Sequence, residues 1–544
     1  MIFLPKATPL PVTTRSLLLI FFLATGFFLI LLSFVQIRAH ANTEFLSLFS
    51  GGVLAVLSAT VLWTSPQFPT ASAYQRLPRF TLRLIVLACC IWVALIAYVH
   101  KVQGWDEGSY ILSGLALRGY HVPYASWRAP VTGFLCAAFV GGEHIINPLL
   151  LGVLLITLYF WLRQLLGPLP AALSLLMLMS QNLLLESSVE IMSELPAALL
   201  LLLGFFFLAR ESFWLSALFF TLVVFTRWNL APVLLIVFLA VLLRFGVRES
   251  LKFLYVGLAI FSAWYVITNA MRTYVDWPGV RTPLEMVYEG NFLPALAWSA
   301  NPDEKPDFLL RVNFYVRHFF FLTPFVLFAL IASTVQNLGK HLRTELWVTL
   351  KVLPFTLLVY LGTMLCVGAL FPRFITPLIP SGLVCLLCWL FKLSEDFDLS
   401  DDRRIQLVTV VVFVTCAVGM WPMSAVGHVR TEEKTPSVFS ADLRKKLIAL
   451  DRTVSLCGFP EEPLSRNHAN PAMAEARHFI LFPSARRDSF DGIVQQPETI
   501  ESVHHLVEAC HSGDLMLIPK QFTSEFQASA VLASDKRWAL VYDR

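Results

Sequence analysis

Apolar residues in this chain come in long blocks separated by short polar breaks, not in the amphipathic repeats of a soluble domain. A helix that crosses a bilayer needs about 20 mostly apolar residues. Runs that meet or approach this length cover 16–36, 45–64, 81–100, 145–162, 168–186, 192–209, 212–226, 230–244, 251–269, 318–336, 346–370, 375–394 and 405–424. Some neighbours are parted by a single polar break, so the pattern predicts an α-helical polytopic membrane protein with about 11–13 transmembrane helices. Three longer polar stretches interrupt it: 101–144, 270–317 and 425–544. The last is long enough for a small domain. Within it, Leu515-Met516-Leu517-Ile518 and Trp538-Ala539-Leu540-Val541 predict short buried strands, while 441–450 and 500–509 predict amphipathic helices, giving a small C-terminal α/β domain. The expected organisation is two N-terminal helices in 1–80, a transmembrane module in 81–424 and the C-terminal domain in 425–544.

Composition sharpens this picture. Hydrophobic residues make up 57% of the chain and charged residues 14%, against about 25% charged in soluble domains. A chain of 544 residues does not hide such an excess in one core, because cores stop growing beyond about 250–300 residues. The net charge of +4 is scattered, with no basic stripe for nucleic acid. No internal repeat stands out.

The distribution of charge predicts orientation. With the N-terminus, Lys6 and Arg15 in the cytoplasm, the cytoplasmic loops also collect Arg76, Arg79 and Arg83; Arg163; Arg210; Arg244, Arg248 and Lys252; Lys340 and Arg343; and Lys392, Arg403 and Arg404. That is the excess of Lys and Arg expected inside. The three polar stretches then fall outside, and the expected location is the inner (plasma) membrane. The Ala39-His40-Ala41 sequence resembles a signal-peptide cleavage site, but the preceding apolar run exceeds the usual length of about 7–15 residues.

Of the nine cysteines, Cys385 and Cys388 have the spacing of a metal or redox pair. They sit in an apolar run without a second pair, which favours packing. Only Cys457 and Cys510 lie in the polar C-terminal region, and an extracytoplasmic location would allow them to pair.

Candidate chemistry gathers at the outer ends of the predicted helices. Asp106 and Glu107 are adjacent carboxylates at the mouth of the third span, suited to a general base or a cation site; the simpler reading is a solvated loop pair. Arg128 and Arg373 lie outside, against the charge bias. A phosphate partner would explain them, as would snorkelling to lipid headgroups. Glu186, Glu190 and Glu194 have the spacing of one helix face. Glu194 enters the apolar run that follows, and a carboxylate at membrane depth suggests a functional site facing the bundle interior. A helix-start acid ahead of Pro196 is the alternative.

Taken in order, these elements resemble the C-type superfamily of membrane glycosyltransferases, and within it the branch holding the protein O-mannosyltransferases and the bacterial lipid A aminoarabinose transferases. The acidic pair of the first outer loop is matched by Asp106-Glu107. A Lys/Arg-Pro-Pro element is matched by Arg128-Ala129-Pro130, with Ala129 for the first proline. A span ending in a basic residue before Gly is matched by Arg163 and Gly167. An acid that opens an apolar helix ending in Arg is matched by Glu194-Leu195-Pro196 through Arg210. The late Arg-Tyr-x-x-Pro-x-x-Pro element is matched by Arg373 to Pro380, with Phe374 for Tyr. The likeness covers about residues 82–395. The chain departs from the pattern in placing the acidic pair after its third span instead of its first.

The resemblance implies a polyprenyl-phosphate-linked sugar donor, inversion at the anomeric carbon, and an acceptor that is a glycan, lipid or protein. Asp106 is then the candidate base, with Glu107 beside it, Arg128 and Arg373 the donor-phosphate partners, and Glu194 and Glu190 a second acidic site that orients groups or holds a divalent cation. No other cofactor is implied. A transporter or lipid flippase is the rival reading, but such proteins carry charges near the bilayer midplane, often in two related halves, which this chain lacks. A non-catalytic assembly subunit is a second rival, against which the intact acidic pair and outer arginines count.

Overall fold

The structure, a computed structural model, describes residues 79–99, 128–139, 145–189, 191–275, 324–335, 343–366 and 372–396, the strands of a small sheet, and single positions between these. The expected runs 16–36 and 45–64, nearly all of 405–424, and the predicted helices 441–450 and 500–509 lie outside the described residues.

The described part is a helix bundle. Helix α1 covers Arg79–Val99, α2 Pro130–Ala138, α3 Ile146–Leu166, α4 Pro168–Met179 and α5 Asn182–Val189. They are followed by α6 Glu194–Ala209, α7 Phe213–Val224, α8 Ala231–Phe245, α9 Val247–Val275 and α10 Pro324–Val335. Helix α11, Thr344–Trp347, passes through a π-helical turn at Val348–Val352 into α12, Leu353–Cys366, and a 3-10 segment at Pro372–Leu378 leads into α13, Ile379–Asp396. Five described helical stretches are long and apolar enough to cross a membrane: Ile146–Leu166, Trp228–Phe245, Val247–Ala270, Thr344–Leu365 and Arg373–Ser394. The chain is a multi-pass membrane protein.

Local chemistry sets the ends of these helices. Gly167 (φ 99°) and Gly246 (φ 87°) adopt backbone conformations that disfavour a side chain, and each donates its amide back into the helix that it closes, Gly167 to Arg163 O and Gly246 to Leu242 O. Pro168 then opens α4, and proline also sits at the start of α2 and α8, where its missing N–H has no intrahelical acceptor to lose.

Two sequence expectations need correction. The run 168–186 is not one straight span: its helices Pro168–Met179 and Leu183–Val189 are bent by 72°. Around the break Ser180 Oγ and Gln181 Nε2 donate to Met177 O, so polar side chains bind the backbone where regular helix pairing ends. The predicted spans 192–209 and 212–226 are helices of 16 and 12 residues, and at 1.5 Å per residue they reach only about 24 and 18 Å. They form a tight hairpin: the amides of Arg210 and Ser212 both donate to Phe207 O, and Glu211 turns the chain at φ 58°. A Cβ on Gly204 would stand 3.0 Å from the Phe220 ring, and Ser216 Oγ donates to Gly204 O, so the two helices pack in close contact.

Burial ranks the helices. In the Arg373–Ser394 span 89% of the apolar stretch is buried, against 17% in Val247–Ala270. Helix α13 is therefore the central post and α9 lies on the outside. Cys385 and Cys388 are buried thiols on α13, with Cys385 Sγ 3.6 Å from Ser333 Oγ, in keeping with packing. Lys351, in the π turn, donates to Ser333 O (2.9 Å) and Thr334 O (3.3 Å), which satisfies carbonyls at the end of α10.

Four strands, β1 Leu456–Cys457, β2 Leu515–Pro519, β3 Val531–Ser534 and β4 Trp538–Tyr542, form a mixed sheet in the order β1-β2-β4-β3. β1 runs parallel to β2; β2–β4 and β3–β4 are antiparallel, with an irregularity between Val531 and Ala533. Both apolar patches predicted as strands lie in it. Cys457 is paired in register with Met516, while Cys510 lies outside the described residues.

Candidate functional site

The chain places charged groups where α6 begins, α7 ends, and the 3-10 segment before α13 packs. Glu194 is the first residue of α6, with Pro196 two residues on. A carboxylate at a helix start is favoured by the helix dipole. Glu194 is nevertheless only 3% exposed, and a buried charge of this kind must be paired.

Two arginines pair with it. Arg227 follows α7 in an extended conformation (φ −151°, ψ 113°) ahead of the short 3-10 turn Trp228–Leu230. Its Nη1 contacts Glu194 Oε1, and it is 8% exposed. Its Nε donates to Asn229 Oδ1 at 3.4 Å, and its guanidinium lies 4.6 Å from the centroid of the Phe374 ring. Arg373, in the 3-10 segment, brings Nε to 3.5 Å from the same oxygen, Glu194 Oε1, and is 30% exposed.

Helix α12 props this group from behind. Tyr360 Oη donates to Phe374 O at 3.0 Å, and Asn229 Nδ2 reaches Met364 Sδ at 3.6 Å. On the other side Ser187 Oγ lies 3.1 Å from Thr376 Oγ1, and Asn147 Nδ2 donates to Ser188 O at 2.9 Å. Segments distant in sequence are thereby tied at one end of the bundle.

Arg128 belongs to the same end. The amide of Val131, at the start of α2, donates to Phe225 O at 3.0 Å, two residues before Arg227. Three residues ahead of Val131, Arg128 Nη1 is 3.5 Å from Tyr110 Oη, and its guanidinium lies 5.0 Å from the Tyr110 ring centroid. Arg128, Arg227 and Arg373 thus share one end of the bundle with one buried carboxylate.

Asp106, Glu107 and Glu190 lie outside the described residues. The single helix face expected for Glu186, Glu190 and Glu194 is corrected: Glu186 is on α5, which ends at Val189, and Glu194 opens α6. The spacing alone did not register the break between them. Arg227 was missed by the sequence reading. Its signal was present, since it follows the predicted span 212–226 on the side where arginine runs against the charge bias, as Arg128 and Arg373 do. No group of three or more metal-ligating side chains occurs among the described residues, and Glu194 faces two guanidiniums, an environment unsuited to a cation.

The energetics of the group are unusual. Burying ions costs several kcal/mol each, and the pair regains this only with excellent geometry. An apolar helix start would serve packing as well. A buried carboxylate held by two arginines is therefore a candidate functional site, with arginine the residue suited to phosphate or carboxylate.

No protein-family model matches this chain, and no curated protein matches it significantly. Two solved structures do match. ArnT from Cupriavidus metallidurans bound to undecaprenyl phosphate aligns over 87% of this chain and 98% of its own, at 12% identity with a TM-score of 0.51. The apo state of the same protein aligns over 84% and 97%, at 12% identity with a TM-score of 0.45. The fold of this chain therefore resembles that of ArnT, in keeping with the resemblance that the ordered motifs carried.

Proposed function

We propose that this protein is a glycosyltransferase that moves a sugar from a polyprenyl-phosphate donor to an acceptor on the extracytoplasmic face of the membrane, with inversion. The observation that carries the reading is the convergence of Arg227 and Arg373 on the buried Glu194, with Arg128 at the same end, in a fold shared with a protein crystallised on undecaprenyl phosphate. A lipid phosphate needs positive groups at the membrane surface while its tail stays in the bilayer. When the sugar leaves, the phosphate gains charge, and fixed guanidiniums stabilise that charge where water is excluded.

In this reading Asp106 takes the proton of the acceptor hydroxyl and Glu107 supports it. Arg128 and Arg373 bind the donor phosphate, and Arg227 joins them as the residue that holds the group together. Glu194 orders arginines in preference to holding a cation. The sheet of β1 to β4 belongs to an extracytoplasmic α/β domain, in which Cys457 and Cys510 pair.

The test is turnover by the purified full-length chain in lipid nanodiscs, supplied with polyprenyl-phosphate sugars and scored by release of polyprenyl phosphate. Release that depends on the acceptor supports the reading. Absence of release with every donor, together with unchanged lipid-linked saccharides and envelope glycans in a deletion strain, rejects it. A reporter fused at residue 544 tests sidedness independently, and cytoplasmic reporter activity would place Asp106 on the wrong face.

A further inference from the structure

The two arginines on Glu194 are not equivalent. Both reach the same oxygen, Oε1. Arg227 is buried, its Nε directed to Asn229 and its guanidinium against Phe374. Arg373 meets Glu194 at 3.5 Å and retains 30% exposure, against 8% for Arg227. A guanidinium binds a carboxylate best through two parallel hydrogen bonds to two oxygens. A second arginine crowded onto an oxygen that already serves Arg227 is held in a poorer arrangement, and it is the one with access to an incoming anion.

We infer that Glu194 is a positioning residue that competes with the lipid phosphate for Arg373. Arg227 stays with Glu194, and Arg373 shifts from Glu194 Oε1 to the phosphate as the second negative charge develops there. This rests on the donor reading above. In the transfer, the bond between the anomeric carbon and the phosphate oxygen breaks and its electron pair remains on that oxygen. The acceptor oxygen forms the new bond to carbon, and its proton goes to the carboxylate base. The donor is a phosphodiester with one negative charge. The released lipid is a phosphomonoester that carries close to two at pH 7, its second pKa lying near about 6.

Glu194 sets how strongly Arg373 is kept from the phosphate before that charge develops. An Arg373 partly neutralised by a carboxylate gains little by leaving it for a monoanion and more by leaving it for a dianion. Only interactions that strengthen toward the transition state raise turnover, whereas uniform binding of donor and transition state does not. Without Glu194, Arg373 would grip both the donor and the released lipid phosphate more firmly, and the product would leave more slowly.

The experiment uses the full chain in nanodiscs and two unreactive probes: a polyprenyl phosphate, and its methyl ester, which is a diester with one charge. Wild type should bind the monoester about tenfold more tightly than the ester at pH 7.5, given the strength of hydrogen bonds between charged groups, and this preference should fade toward pH 5. Arg373→Ala should lose about tenfold for the monoester and less than about threefold for the ester, and should reduce the pH dependence of the preference. Glu194→Gln should tighten binding of both probes, the monoester no less than the ester; unchanged binding of both would overturn the competition. Equal weakening of both probes by Arg373→Ala, with the pH-dependent preference undiminished, overturns the shift of Arg373 to the charged phosphate but leaves the donor reading standing. If wild type binds neither probe, the donor reading fails and this inference fails with it.

Discussion

At one end of the bundle Arg227 and Arg373 converge on a carboxylate that is 3% exposed. At the other end, one helix length away along α6 and α8, Arg210 and Arg244 are exposed and lie over aromatic rings: Arg210 over Phe206 at 4.0 Å, Arg244 over Trp347 at 4.7 Å. Lys252 joins them over Phe213, 5.3 Å from the ring centroid, while pairing with Glu249 one helical turn away. The second pattern is what basic residues do at a membrane surface: stems cover apolar groups while heads meet water and lipid. The first pattern lacks that explanation. Both ends are basic by composition, and only burial and partner choice distinguish an anchor from a candidate site.

The comparison breaks first if the buried end is not the reactive end. Asp106→Asn should lower sugar transfer by about 10²–10⁴-fold, the range for loss of a general base, with the thermal unfolding midpoint in detergent unchanged. Turnover near that of wild type would remove Asp106 from the base role. Next in size, Arg227→Ala leaves Glu194 with its more exposed partner alone and should cost about 3–5 kcal/mol of stability, as for other broken buried pairs. Unfolding followed by circular dichroism measures this, and a loss below about 1 kcal/mol, the scale of a surface pair, would make the two ends alike.

Arg128→Ala should raise the donor concentration needed for half-maximal rate about tenfold, the scale of a lost charged hydrogen bond, with acceptor dependence unaffected. Separate titration of the two substrates distinguishes this from a general loss of rate. The smallest effects belong to the opposite end. Arg210→Ala and Arg244→Ala should each change stability by no more than about 1 kcal/mol, the scale of exposed cation–π contacts, and should leave transfer unchanged. A large loss of activity from either would mean that the basic end also takes part.

The sequence was legible where the signal accumulates over many residues. The run 230–244 is Ala231–Phe245 in the structure, and 145–162 is Ile146–Leu166, because burial of a long apolar segment depends on its sum. The bend within 168–186 was not legible. It depends on which side chains satisfy the backbone near Ser180 and Gln181, and the apolar run continues regardless. In the site, Glu194 and Arg373 stood out as charges in unlikely places. Arg227 stands in an equally unlikely place but matches no motif element, and only the folded chain shows that Glu194 is its partner. The same limit explains the misplaced helix face: spacing relates Glu186 to Glu194 only while one helix continues between them.

The π-helical turn at Val348–Val352 leaves the helix out of phase with itself. Such a turn accommodates one residue more than an α-helical turn, and each residue advances the helix by about 100°. Every side chain beyond the turn therefore points about 100° away from where an unbroken helix would aim it. Tyr360 and Met364, which reach Phe374 and Asn229 at the site, both lie beyond it. A chain one residue shorter at this point would keep an equally apolar span and present a different face to the arginines. Among relatives, a single-residue gap here would thus separate lineages that hydropathy cannot tell apart.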